Sequence, residues 1–265
     1  MGRHQWLQAM AGAGLILLLL GACDEKKTTP TPAPSAPVAA STPAATRPSA
    51  SAVASRPAKP RVKRKLEDCP KKKTIDFPSP AVEEAVRYKL RKKTGAITTA
   101  DLLGLRSLNL TQIQLDELDV CLFGHMTQLR ELFLGPGKID DLSPIERSVH
   151  LETLRASNNP IEDLAPLAKM PQLDRLDLAF TNIRDLAPLA NLTNLTMLQL
   201  DDTAVSDVTP LAKLTKLRVL ILKNTRVKDL KPLRGLKELV TLDVRGAPVQ
   251  DTTVVMRPGL RIQEY

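Results

Sequence analysis

From Leu105 onward the apolar residues fall into a repeating frame. Leu129, Leu151, Leu173, Leu195, Leu217 and Leu239 recur at a period of 22 residues, and each opens a unit with further apolar residues at offsets +3, +5 and +10. In the unit at Leu173 these are Leu176, Leu178 and Ile183; the next has Leu198, Leu200 and Val205, and the one after has Leu220, Leu222 and Val227. An earlier unit, Leu105 with Leu108, Leu110 and Ile113, precedes its successor by 24 residues and so carries a two-residue insertion. Offsets +3 and +5 point to one face of a short strand, and +2, +4 and +6 to the other. One unit cannot bury its own leucines. Stacking units at about 4.8 Å pairs the strands into a parallel sheet and joins the leucines into one core. The pattern therefore predicts an α/β solenoid of about seven units, with a parallel concave β-sheet and short 3-10 or turn segments on its convex side.

The return half of each unit is equally regular. Asp stands at offset +12 in six units (Asp141, Asp163, Asp185, Asp207, Asp229, Asp251), and Pro at +15 in five (Pro144, Pro166, Pro188, Pro210, Pro232). Asp is suited to cap the short helical turn that Pro then begins. An Asp ladder could be mistaken for a calcium or catalytic array, but a strict 22-residue spacing on the return side favours capping. Upstream, Ser79 is an N-cap with Pro80 at the first helical position. Val82, Ala85, Val86 and Leu90 share one face, and Gly95 ends the helix. A second cap, Thr98-x-x-Asp101, precedes Leu102 and Leu103. Such a cap covers the otherwise bare edge of the first strand. At the far end Leu260, Ile262 and Tyr265 are expected to close the core.

The phrase Asp185-Leu186-Ala187-Pro188-Leu189-Ala190 with Leu192, repeated nearly intact from Asp163, resembles the short-repeat bacterial leucine-rich proteins of the internalin type. The resemblance covers about 75–249. It includes Phe77-Pro78-Ser79-Pro80 with Val82, Glu83, Ala85, Val86 and Arg87, which is similar to the helical cap ahead of such repeats. It implies a leucine-rich-repeat horseshoe in which the residue at offset +8 hydrogen-bonds backbone in a ladder. Here that residue is Asn159, Thr181, Thr203 and Thr225, with Gly137 departing from the pattern.

The first quarter of the chain is of another kind. Arg3 and His4 precede an apolar run from Ala9 to Leu20, which ends in Leu20-Gly21-Ala22-Cys23. The run has the length of a signal-peptide core and falls short of the ~20 residues of a membrane span. Its end resembles the bacterial lipobox, which implies cleavage before Cys23 and acylation of that Cys. The alternatives are an ordinary signal peptide with an incidental Cys, and an uncleaved anchor. From Lys27 to Pro60 the chain is Thr, Pro, Ala and Ser with almost nothing to bury, as expected of an extended, disordered tether. The domains read as signal peptide 1–22, tether 23–73 with a basic end, helical cap 74–104, and repeats with a closing segment 105–265.

Charge sharpens this division. The formal net charge is +9, but residues 1–73 hold 13 Lys/Arg against 4 Asp/Glu, while 74–265 hold 25 of each. A compact basic nucleic-acid-binding domain is thereby disfavoured, and the basic stretch Arg56–Lys73 has no interleaved aromatics for stacking on bases. That stretch reads as a solvated stalk end or as a contact with anionic lipid or wall polymer.

With Cys23 acylated, Cys69 and Cys121 remain. An exported context permits a disulfide that staples the cap to the first unit; the alternative is two free thiols. The sequence has no Cys/His spacing of a metal site, no glycine-rich phosphate loop, no nucleophile elbow and no zincin motif. No cofactor or metal is expected, and no catalytic residues. Function defaults to the outward concave positions. The binding candidates are Phe133, Arg155, Arg175 and Asp177, then Met197, Gln199 and Asp201, then Val219, Ile221 and Lys223, and finally Asp243 and Arg245, with Phe180 at a strand end. An apolar ridge of Met197, Val219, Ile221 and Phe180 flanked by opposite charges is what protein recognition uses. The bland alternative is a face that only tolerates solvent. The expectation is a monomeric, lipid-anchored protein-binding module of the bacterial envelope. The rival is a structural envelope protein held by its basic tether.

Overall fold

The computed structural model describes residues 64–264, within a compact unit that runs from Lys59 to Tyr265. The expected signal peptide, Cys23, the expected tether through Lys63, and Tyr265 lie outside the described residues.

Eight strands form one parallel sheet in sequential order. They are β1 (Ser107–Leu110), β2 (Glu131–Leu134), β3 (Thr153–Arg155), β4 (Arg175–Asp177), β5 (Met197–Gln199), β6 (Val219–Ile221), β7 (Thr241–Asp243) and β8 (Arg261–Gln263). The register places the offset +3 residues in one line: Leu108, Leu132, Leu154, Leu176, Leu198, Leu220, Leu242 and Ile262. The seven leucines of this line are at most 1% exposed, so each strand contributes one rung to a continuous core. The segment expected to close the far end packs Leu260 and Ile262 against the core and forms β8, which extends the sheet in parallel. The step from Leu242 to Ile262 is 20 residues rather than 22, which hides the strand from a fixed-period reading.

On the return side, 3-10 turns span Ser143–Ile145, Ala165–Lys169, Ala187–Leu189, Thr209–Lys213, Lys231–Gly235 and Thr253–Val255. The repeated prolines occupy the second position of the first five, where a missing N–H and a fixed φ cost nothing. The aspartates do not sit at the N-cap itself, which is Leu142, Leu164, Leu186, Val208, Leu230 or Thr252. Each stands one residue earlier and accepts the backbone N–H two residues on. Asp185 Oδ1 takes Ala187 N at 2.8 Å, and Asp229 Oδ1 takes Lys231 N at 2.8 Å. This is an Asx turn that satisfies the first free donor of the helical turn.

The N-terminal cap consists of α1 (Pro80–Leu90) and α2 (Thr99–Leu103). Ser79 caps α1 through Val82 N, and Val82 and Val86 are wholly buried as α1 packs on β1. The helix ends earlier than Gly95: Arg91 takes the left-handed conformation at φ 54°, and Gly95 follows in the turn. Arg87 secures that turn by donating to the carbonyls of Lys92 and Gly95. In α2, Thr98 and Asp101 form a reciprocal capping box, with Lys92 Nζ 2.8 Å from the Asp101 carboxylate.

The two-residue insertion after β1 makes room for α3 (Val120–Phe123). Here Cys121 is joined to Cys69 by a disulfide, with Cα atoms 5.5 Å apart. Leu66 lies so close over Gly124 that a Cβ there would fall 2.8 Å from a Leu66 methyl carbon. The chain segment leading into the cap is thus held against the return side of the first unit.

Candidate recognition surface

The pleat of each strand sends offsets +2 and +4 outward, and the register lines them up across the sheet. Arg175, Met197, Val219 and Thr241 follow one another at +2, and Arg155, Asp177, Gln199, Ile221 and Asp243 at +4. Met197, Val219 and Ile221 meet on β5 and β6 and are half-buried. Ion pairs stand on both sides of them. Arg155 Nε lies 3.2 Å from Asp177 Oδ2 on one side, and Arg245 grips Asp243 through both carboxylate oxygens on the other. The surface is therefore an apolar centre between two neutralised charge pairs.

Several sequence candidates are altered by their surroundings. Asp243 is only 4% exposed and its carboxylate is occupied by Arg245, so its place is structural; Arg245 is the exposed member of that pair. Burial opposes ionisation of Asp243, but the Arg245 guanidinium and backbone N–H outweigh it and hold the pKa below the ordinary range. For Asp177 burial wins and pushes the pKa up, opposed by the Ala179 N–H, Arg155 and Ser157. Ser157 and Ala179, at offset +6, are buried rather than presented. Phe133 lies in register with Asn109 and Arg155, three strands from the apolar centre, and is not brought to it.

Asp201 has the most unusual environment of the set. Its Oδ1 is buried and has no hydrogen-bond partner among the described residues. Burial raises its pKa; the residue's own backbone N–H and the charge of Lys223 oppose that, and the charges of Asp177 and Asp202 add to it. An unpaired buried acceptor is costly, and a donor arriving from outside would relieve the cost.

The strand ends carry a feature that the periodicity does not reveal. At offset +7, Asn158, Phe180, Asp202, Asn224 and Gly246 all adopt positive φ, between 54° and 71°. This column turns the chain out of the sheet. Asn, Asp and Gly at one offset are the residues that tolerate the left-handed region, and that coincidence is visible in the sequence. Phe180 is the exception, at φ 56° and 52% exposed. A bulky residue in this conformation is strained and gains little burial in return. Beside the column lies an open polar groove of about 510 Å³, lined among others by Asn182, Arg184, Asp202, Ala204, Asn224 and Arg226.

The offset +8 residues divide. Asn159 bonds across units, donating to the Gly135 carbonyl at 3.0 Å and accepting Ile139 N at 3.1 Å. Thr181, Thr203 and Thr225 donate only to the carbonyl three residues back in their own unit, each at 2.7 Å. The cross-unit ladder implied by the resemblance is therefore a single Asn rung here.

The family model for leucine-rich repeats matches residues 149–191 and 171–213. The fold is a leucine-rich-repeat solenoid. This solenoid is similar to internalin C2 of Listeria monocytogenes, at 28% identity and a TM-score of 0.64, over 71% of this chain and 94% of that one. It is similar also to a second Listeria monocytogenes internalin, InlF, at 28% identity and a TM-score of 0.62, over 67% of this chain and 53% of that one. A leucine-rich-repeat protein of Leptospira interrogans shares the fold at 21% identity and a TM-score of 0.50, over 61% of this chain and 49% of that one. No curated protein matches the chain. A leucine-rich-repeat fold suggests a protein-binding module. Among the described residues no helix is long and apolar enough to cross a membrane.

Proposed function

We propose that the protein is a lipid-anchored binding module of the bacterial envelope that recognises a protein partner on its concave sheet. The observation that carries this reading is the apolar centre of Met197, Val219 and Ile221 set between the Arg155–Asp177 and Asp243–Arg245 pairs. Its flanks are already neutralised, so a partner can dehydrate the centre without stranding a charge. The unsatisfied Asp201 oxygen and the strained, exposed Phe180 at the rim support the same reading, because each carries a cost that a partner would offset. The similarity to Listeria internalins supports a bacterial surface or secreted setting. Anchoring rests on the lipobox-like end at Cys23. No reaction is assigned to the chain.

The test is a paired substitution, Met197→Glu with Ile221→Glu. Both side chains face away from the leucine core, so melting stays near that of the parent. Crosslinked recovery of the partner from the native envelope is lost. Undiminished recovery at unchanged stability refutes the concave face.

The second reading, a structural envelope protein, is favoured by the cation cluster in Arg56–Lys73. Replacing its Lys and Arg by Gln while keeping Cys69 separates the two. Loss of envelope retention supports the structural reading; retention with partner recovery intact supports the lipid-anchored module and removes any role for the cluster.

A further inference from the structure

The equal numbers of acids and bases in 74–265 conceal a strong segregation along the solenoid. Residues 74–207 hold 13 Lys/Arg against 20 Asp/Glu, and 208–265 hold 12 against 5. The excess is concentrated further, since Val208–Val240 contains nine Lys/Arg and only Asp229 and Glu238 as acids. Five of those cations, Lys213, Lys216, Arg218, Arg234 and Lys237, lie on one side of two adjacent units. They occupy the ends of the stacked 3-10 turns Thr209–Lys213 and Lys231–Gly235 and the descending segments that lead into β6 and β7. All five are exposed, and none enters an ion pair among the described residues. Lys216 donates to a neutral partner, Asn194 Oδ1, at 2.8 Å and so keeps its charge uncompensated. The only acid on this side of the two units is Glu238.

We infer that this descending side of the fourth and fifth 22-residue units, which open at Leu195 and Leu217, docks onto an anionic lipid surface. Three properties select that occupant. First, the cations are spread along a strip over two adjacent units instead of converging on one point, which suits a planar field of phosphates. Second, Val208–Val240 contains no Phe, Tyr or Trp, so the strip offers no platform on which nucleobases could stack. Third, the one exposed large apolar residue within it is Val240, at 39% exposure, so a protein partner would find little to bury there. Screening over about 8 Å at physiological ionic strength separates the strip from the acid-rich early units. Docking here is independent of recognition on the concave face.

The test uses the chain from residue 23 onward with Cys23→Ser, which removes the apolar N-terminal run and acylation, and vesicles of about 30 mol % phosphatidylglycerol in phosphatidylcholine. At roughly fivefold per cation, replacing four of the five (K213Q/K216Q/R234Q/K237Q) lowers partitioning on the order of 600-fold. The loss is largest at low salt, and both proteins ignore pure phosphatidylcholine. The four side chains are exposed, so matched melting curves show that the fold is unaffected. The tether is identical in both proteins and cancels from the comparison. Equal partitioning of variant and parent overturns the inference. So does a parent that ignores the anionic vesicles yet binds polyglutamate in the same buffer, which would assign the strip to an acidic protein.

Discussion

Breaking the bond between Cys69 and Cys121 is the perturbation whose size the structure fixes best. The bond spans 52 residues of sequence, from the segment before the cap to α3 in the first unit. In the chain-entropy account, a closed loop of that length restricts the unfolded chain by about 4 kcal/mol at 25 °C. For a folded unit of this size, 1 kcal/mol corresponds to roughly 2–4 °C in Tm, so the double variant Cys69→Ala/Cys121→Ala melts about 8–16 °C lower. A solenoid transmits little beyond nearest neighbours, so the loss is localised as well as large. Hydrogen exchange accelerates across α1, α2 and β1, while the amides of β5 to β7 keep their protection. Alkylation of denatured, unreduced protein supplies the direct check, with neither Cys69 nor Cys121 labelled. Labelling of both thiols, or a double variant that melts within about 2 °C of the parent, rules out a stabilising Cys69–Cys121 bond.

Three further outcomes rest on particular residues. Leu198 is wholly buried at the middle of the leucine line, so Leu198→Ala costs about 2–5 kcal/mol in denaturant unfolding. Ile221→Ala, on the outward face of the neighbouring strand, costs less than about 1 kcal/mol. In the cap, the hydrogen bond from Lys92, with those from Thr98, lowers the Asp101 pKa from 3.8 to about 2. A depressed carboxylate stabilises the fold above its unfolded pKa and loses that contribution as pH falls through the folded one. Asp101→Asn therefore flattens the acid limb of a melting series between about pH 4 and pH 2, and an unchanged limb contradicts the assignment. Finally, relief of the left-handed strain at Phe180, worth about 1–2 kcal/mol, offsets the burial that Phe180→Asn forfeits. Urea unfolding then shows stability within about 1 kcal/mol of the parent, and a deficit above about 3 kcal/mol would mean that the ring is part of the core.

The extent to which this protein could be read from its sequence follows from which features repeat. The leucine line, the Asp and Pro positions and the cap helices recur at fixed offsets or carry cap residues, so their burial and hydrogen bonding were legible. Features that break the period were not. Strand β8 is displaced by a 20-residue step, and Arg91 ends α1 by entering the left-handed region without the help of a glycine. Within the concave site, outward direction was legible and availability was not. Asp243 points outward by offset, but Arg245 folds back two residues later and closes over it. Asp201 reads as one more surface acid until its neighbours deny Oδ1 a donor. Charge balance misled for a related reason, because equal counts over 74–265 say nothing about where each sign lies.

Recognition on the concave sheet is read out by a photocrosslinking amino acid placed at Ile221. The control position is Ala168, which is exposed on a return-side turn. In the native envelope the account predicts a discrete protein adduct from position 221, abolished by Met197→Glu, and none from position 168. Adducts of equal yield at both positions, or an adduct at 168 alone, would contradict it.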